Sequence, residues 1–414
     1  MTKNTYIGLS ANLSSGATGH FETFHRGIYL ALKSDELSVQ YIGSSIVKQG
    51  DENLWFFPII PATLARPIAW CGLSFLKDLA RIEYEGSSQK NFFVYEGNFA
   101  WSSIFLIYVI KHPNSKVLIN LFDSKKYRGL DQSSILKKLV VSFYINSIMK
   151  MSQNRIFFTA DTPILAQELT NLCGSTIRVF PEFSVMFDHE TTDTKSNIHR
   201  KILVLVRGSE ATKNLNSALS QYCDNCNFII HGVDKNERNL FVNKKNIELT
   251  PGFLSEEEYK IFYDDIDQCV ILYSPEDFSH QSSGRLYDCV TLGIPVSVPI
   301  GTSMAGQVAD YGNFRIFDFY SSQEIRKEFD HSIEYSPELG SRSISKQNFN
   351  RNITQMFINE NARPIQRKFI TNFLIRIIWY VFGLYWLCRG FGLKSWKMIF
   401  WKIKERFFRK ISFS

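Results

Sequence analysis

Apolar residues fall in short runs separated by helix-length segments along most of the chain. In the first half, the runs at 6–9, 39–42, 92–95, 116–121 and 156–159 predict strands. They are nearly continuous rather than alternating, as expected of strands buried on both faces. Helical spacing is predicted over 20–32, 135–149 and 163–172. Strand and helix alternating in this way imply a parallel sheet covered on both sides. The segment 186–200 is polar, has no apolar period and reads as a linker. The alternation then restarts, with strands at 201–206, 228–231, 270–273 and 296–299 and helices at 214–222 and 286–292. Ser255 with Glu258 forms a capping box that opens one more helix. The chain is thus expected to be α/β, with two tandem doubly wound domains facing a cleft: 1–185 and 201–350, joined by 186–200. A connecting helical segment over 351–370 and a tail over 371–414 follow.

The 414 residues, 44% of them hydrophobic and 21% charged, exclude a disordered chain and fit two domains at roughly 100–200 residues each. Charge changes the picture at the end of the chain. Residues 362–414 hold twelve Lys/Arg against one acid, +11 out of a total of +7, so the preceding 361 residues carry −4. Four of the seven tryptophans, Trp379, Trp386, Trp396 and Trp401, also lie there. The longest uncharged apolar run in the tail, 377–388, is twelve residues against the ~20 a transmembrane helix needs. The tail is therefore expected to lie in an anionic membrane surface; packing on the protein body is the alternative, and no nucleic-acid module accompanies the charge. A second apolar and aromatic stretch, 55–75, contains Pro58, Pro61 and Pro67 and is expected to be an irregular insertion or a membrane-facing lip. No signal peptide is legible at the start, so a cytoplasmic, reducing environment is expected. The Cys223–Cys226 pair lacks a second pair for zinc.

The most informative segment is 272–304, a strand followed by a polar loop, then Ser282, Ser283 and Gly284, then a helix carrying Asp288. Small residues at a helix start let backbone N–H groups approach an anion. An acid one turn on can accept from ribose hydroxyls, or can simply face water. This segment resembles the nucleotide-sugar-binding region of the GT-B glycosyltransferases of glycosyltransferase family 4, through Gly284, Asp288 and the run Gly293-Ile294-Pro295-Val296. The phrase Tyr273-Ser274-Pro275-Glu276-Asp277-Phe278 and the stretch 251–259 are similar to one bacterial branch of that family.

The resemblance implies two Rossmann-like domains, a retaining and metal-independent sugar transfer, and a nucleoside-diphosphate sugar as donor with no separate cofactor. Carried onto this chain, it assigns Arg207 and Lys213 to the diphosphate, Ser282, Ser283 and Gly284 to backbone contacts with phosphate, and Asp288 to the ribose. Where two glutamates eight positions apart are common, this chain has His280 and Asp288, and Glu276 is the candidate for the missing carboxylate. In the first half, Gly16, Gly19 and His20 open the first helix and would lie near donor and acceptor. This loop is not a dinucleotide fingerprint. Glu96 and Asp123 follow predicted strands, where cleft residues lie. Asp264-Asp265, the nearest acidic pair, is expected on a solvated helix face and not at a metal. The reading is a glycosyltransferase acting on a lipid-linked saccharide acceptor at the inner face of the cell membrane, in polysaccharide synthesis. The alternative is a degenerate protein of the same fold that serves as a scaffold.

Overall fold

The computed structural model describes residues 3–7, 28, 31–32, 39–44, 54–57, 90–94, 102, 105–106, 108–110, 112–121, 135–187, 200–220, 226–242, 244, 246–251, 254, 256–309, 311–312, 314–330 and 344–358. Two parallel sheets organise them. The first contains β1 (Lys3–Ile7), β2 (Val39–Ser44), β3 (Leu54–Phe57), β4 (Lys90–Val94), β5 (Lys116–Leu121), β6 (Ile156–Ala160) and β7 (Arg178–Val179). Its order is β3-β2-β1-β4-β5-β6-β7. The second contains β8 (Arg200–Arg207), β9 (Cys226–His231), β10 (Ile247–Leu249), β11 (Gln268–Tyr273), β12 (Val296–Pro299) and β13 (Phe314–Phe317), in the order β10-β9-β8-β11-β12-β13. Each sheet thus reverses direction once, between β1 and β4 in the first and between β8 and β11 in the second. Such switch points open a crevice at the carboxyl ends of the strands.

Among the described residues, the helices that bear on the site and the cores are α1 (Ile135–Ser152), α2 (Pro163–Cys173), α3 (Ser209–Leu219), α4 (Glu256–Ile261), α5 (Pro275–Phe278), α6 (Gly284–Thr291), α7 (Ser303–Val308), α8 (Ser322–Asp330) and α9 (Lys346–Ile358). Alternate residues of β8 enter opposite cores, as the pleat requires. Ile202, Val204 and Val206 pack with Leu215 of α3 and Phe329 of α8. Leu203 and Leu205 pack with Leu286 of α6 and Met304 of α7. The last helix among the described residues, α9, crosses back onto the first sheet. Its Phe349, Ile353 and Phe357 join Phe93, Leu118 and Phe157, with the Phe157 and Phe357 rings 5.5 Å apart. The boundary expected at 350 falls inside this helix.

The alternation in the sequence placed nine of these strands within a few residues and did not predict β3, β7, β10 or β13, which lie toward the sheet edges; the other differences have local causes. Helix α3 begins at Ser209, not 214, because Gly208 (φ 94°) ends the strand and turns directly into the helix. The buried residues of its first turn, Ala211 and Thr212, are too small to register as apolar period. The Asp264-Asp265 pair is not helical: α4 stops at Ile261 and Asp265 takes a left-handed conformation, φ 61°. The first residues of the proline-containing stretch form the edge strand β3, paired to β2.

Candidate functional site

At the switch point of the second sheet, Arg207 at the end of β8 is in register with Tyr273 at the end of β11. The Arg207 guanidinium stands over the Phe278 ring at 5.1 Å, and its residue is exposed. Lys213 is exposed on α3, the helix that Gly208 launches. Beside them, Gly232 follows β9 with φ 95°, and a Cβ there would lie 2.1 Å from the Val206 carbonyl oxygen. Only glycine lets the end of β9 lie this close to β8.

Past β11 the chain passes through α5 into the turn 279–283 and then α6. Ser274 caps α5, its Oγ accepting from Asp277 N at 3.3 Å. Ser283 is the N-cap of α6 but makes no side-chain capping bond. The start of α6 therefore presents backbone N–H groups at the carboxyl edge of the sheet, where an anion is favoured.

Under this helix lies a buried cation. The Arg285 guanidinium stacks on the Tyr259 ring at 4.2 Å. Its Nη1 donates to Tyr263 Oη at 3.2 Å and its Nη2 to His231 Nε2 at 3.3 Å. A guanidinium only donates, so His231 Nε2 accepts and the ring proton sits on Nδ1, 2.7 Å from Thr250 Oγ1. Burial, helped by Arg285 and Arg238, lowers the His231 pKa to about 4, so the ring is neutral near pH 7.

Asp288, one turn along α6, is 3% exposed. Its Oδ1 accepts from Ser184 Oγ at 2.8 Å and Val185 N at 3.2 Å, and its Oδ2 accepts from Tyr259 Oη. Burial raises its pKa, against the pull of these bonds and of Arg285. The expected ribose acceptor is thus turned inward, and it ties the end of the first domain to α6.

The first domain also grips the turn 279–283. Asp161, immediately after β6, is 5% exposed. Its Oδ2 accepts from Ser282 Oγ at 2.7 Å and Ser282 N at 3.3 Å. Burial raises its pKa to about 6, with the Ser282 bonds pulling the other way. Thr162 Oγ1 donates to the His280 carbonyl at 3.0 Å and also caps α2, accepting from Leu165 N at 3.2 Å. Glu168 Oε1 lies 2.6 Å from His280 Nε2, and His280 Nδ1 lies 2.8 Å from Ser279 Oγ. Ser303 Oγ holds the same turn from the other side, donating to the Gln281 carbonyl at 2.6 Å. Glu276 is exposed and accepts from Tyr320 Oη, and this bond is the main reason the Tyr320 hydroxyl is pushed up to about 12.

The structure therefore brings Arg207, Glu276, Ser282, Ser283 and Gly284 to one edge of the second sheet, with Lys213 exposed nearby in sequence on α3. Gly16, Gly19, His20, Glu96, Asp123, Cys223, Ser255 and the tail 371–414 lie outside the described residues. Sequence reasoning did not single out Asp161, Thr162, Glu168, Arg285 or Tyr259. The run Asp161-Thr162-Pro163 carries a legible helix start, but its partner turn is more than a hundred residues away. Among the described residues no helix is long and apolar enough to cross a membrane, and no cluster of three or more His, Cys, Asp or Glu is suited to a metal ion.

No protein-family model and no curated protein sequence matches the chain. Solved structures do. HepE from Anabaena, in complex with UDP and glucose, superposes with a TM-score of 0.57 at 11% identity, covering 87% of this chain and 100% of its own. Sucrose-phosphate synthase from Thermosynechococcus elongatus gives 0.55 at 11% identity, covering 86% and 95%. A putative UDP-N-acetylglucosamine 2-epimerase from Listeria monocytogenes gives 0.55 at 11% identity, covering 88% and 99%. The chain has the GT-B fold: two doubly wound domains, with helix α9 returning to the first.

Proposed function

We propose that this chain is a glycosyltransferase that takes a sugar from a nucleoside-diphosphate donor held at the carboxyl edge of the second sheet. The observation that carries this reading is the arrangement at the β8/β11 switch point. There the exposed Arg207, at the end of β8, and the start of α6, which follows β11, lie at one edge of the sheet, in a fold whose solved neighbours include a complex with UDP and glucose. Arg207, Lys213 and the backbone of 283–284 would face the diphosphate and stabilise the charge that grows on it as the sugar leaves, whereas the Ser282 N–H and hydroxyl, expected there from the sequence, are spent on Asp161. We assign Asp288 to bracing α6 through Ser184 and Tyr259, since ribose would reach it only by displacing both. Retention of configuration belongs to the same reading: a departing phosphate oxygen takes the acceptor proton as the glycosidic bond breaks, without a protein base or a metal. The acceptor we assign is a lipid-linked saccharide at the cytoplasmic membrane face, on the strength of the basic, tryptophan-rich tail.

The test is incubation of the full chain with UDP-, GDP-, ADP- and dTDP-linked sugars, following binding by calorimetry and products by chromatography. Binding of one base class with slow release of free sugar is expected. Arg207→Ala and Lys213→Ala should each weaken that binding about tenfold, with an unchanged melting temperature because both side chains are exposed. Epimerised sugar nucleotide without diphosphate release would refute the transfer. The scaffold reading has one observation in its favour, the engagement of His280 by Glu168; it is what an absence of binding to every donor would leave standing.

A further inference from the structure

Helix α1 carries three large apolar side chains in water. Ile135 is 76%, Leu139 62% and Phe143 65% exposed. Their spacing of four residues puts them within an arc of about 80° on the helix surface. The opposite face is spent on the first core, through Val141, Tyr144, Ile145 and Ile148. Isolated exposed apolar residues need no explanation, but a continuous stripe marks a surface that something covers.

Charge identifies what covers it. The helix contains Lys137, Lys138 and Lys150 and no acid. Lys150, exposed, falls in the same arc as the stripe. Residues 125–150 as a whole hold six Lys/Arg against one acid, Asp131, a local +5 inside a body of 361 residues that totals −4. An apolar stripe with basic residues and no acidic ones suits an anionic lipid surface: the apolar groups enter the acyl boundary while the cations meet the headgroups.

Position adds a consequence. In a doubly wound domain each helix runs back along the sheet, so the N-terminal half of α1 lies at the carboxyl edge of β5 and β6. Ile135 and Leu139 are therefore at the same edge as Asp161 and the turn 279–283.

We propose that the exposed face of α1, through Ile135, Leu139 and Phe143 with Lys150 and, at its edge, the half-buried Lys138, is a docking surface for anionic membrane. It sets the cleft at the lipid boundary, where a lipid-linked acceptor would be reached without leaving the bilayer. The acceptor part of this inference rests on the proposed transfer; the docking does not.

The experiment is flotation of the full chain with vesicles of phosphatidylcholine alone and of phosphatidylcholine with 30% phosphatidylglycerol, at 0.1 M and 0.5 M salt. The wild type is expected to bind the anionic vesicles, less so at high salt. Ile135→Ser/Leu139→Ser/Phe143→Ser is expected to bind them about tenfold more weakly at both salt levels, with an unaltered melting temperature. Lys138→Glu/Lys150→Glu should weaken binding mainly at low salt. Unchanged partition of the triple serine variant overturns the proposal. So does a wild-type dimer that the variant converts to monomer, which would make a second copy the occupant. Neither assay uses a sugar nucleotide, so docking can fail while donor binding stands, and donor binding can fail while docking stands.

Discussion

Replacing Asp288 separates bracing from ligand contact. The carboxylate is the acceptor for Ser184 Oγ, Val185 N and Tyr259 Oη, and it is 3% exposed. In Asp288→Ala the Ser184 hydroxyl and Val185 N–H lose their acceptor, Tyr259 Oη is left only the longer contact with Tyr263 Oη at 3.3 Å, and Arg285 loses its nearby carboxylate. An abandoned buried donor costs about 1–3 kcal/mol, and donors that share one acceptor do not add fully. A loss of about 3–5 kcal/mol is expected, in line with breaking one side of a buried charged network. Asp288→Asn differs in kind. Its carbonyl still accepts from Ser184 and Val185, and its amide donates to Tyr259 Oη, whose own proton turns toward Tyr263 Oη 3.3 Å away. That variant should lose about 1 kcal/mol. Equilibrium unfolding in urea, followed by far-UV circular dichroism in the transition that includes the second domain, measures both. An alanine variant within about 1 kcal/mol of wild type would refute the bracing role. A stable asparagine variant that no longer bound donor would return Asp288 to the ribose.

Two further outcomes are expected. Gly232→Ala must fit a Cβ 2.1 Å from the Val206 carbonyl oxygen at φ 95°, and should destabilise by about 2–4 kcal/mol; a urea midpoint equal to wild type would show that β9 and β8 are not held so close. Asp161 keeps its proton up to about pH 6 when folded, against about 3.9 unfolded. The native state thus binds more protons in that window, and stability falls as pH rises through it, by roughly 2–3 kcal/mol. Asp161→Asn should lack that slope between pH 4 and pH 6, and an identical slope in the variant would place the titration elsewhere.

How much of this was legible depends on the range of the interaction. The strands β5 and β12 lie where the apolar runs put them, because a run buried on both faces leaves a dense local signal. The turn 282–284 was legible as a helix start from its small residues. Which way the following helix faces was not. From spacing Asp288 was expected to face either ribose or water, and it does neither: Tyr259 of α4 and Ser184 before the linker turn it inward. The grip of Asp161, Thr162 and Glu168 on the turn spans 112 to 121 residues of sequence separation. No pattern in a single chain encodes a pairing at that distance. Arg285 was hidden for a related reason: an arginine on a helix reads as a solvated face, and only the converging rings of Tyr259 and Phe262 make it an interior cation.

The return of α9 to the first sheet orders events during synthesis. A nascent chain that has emerged as far as residue 187 has every strand of the first sheet, yet Phe93, Leu118, Phe157, Phe180 and Phe183 still lack Phe349, Ile353 and Phe357. Those side chains arrive only after all of the second sheet has been made. On the ribosome the second domain can therefore close first, while the first waits with an aromatic face open to water. That interval, whose length is set by the translation rate over residues 188–358, is when this chain is most exposed to aggregation and most in need of a chaperone.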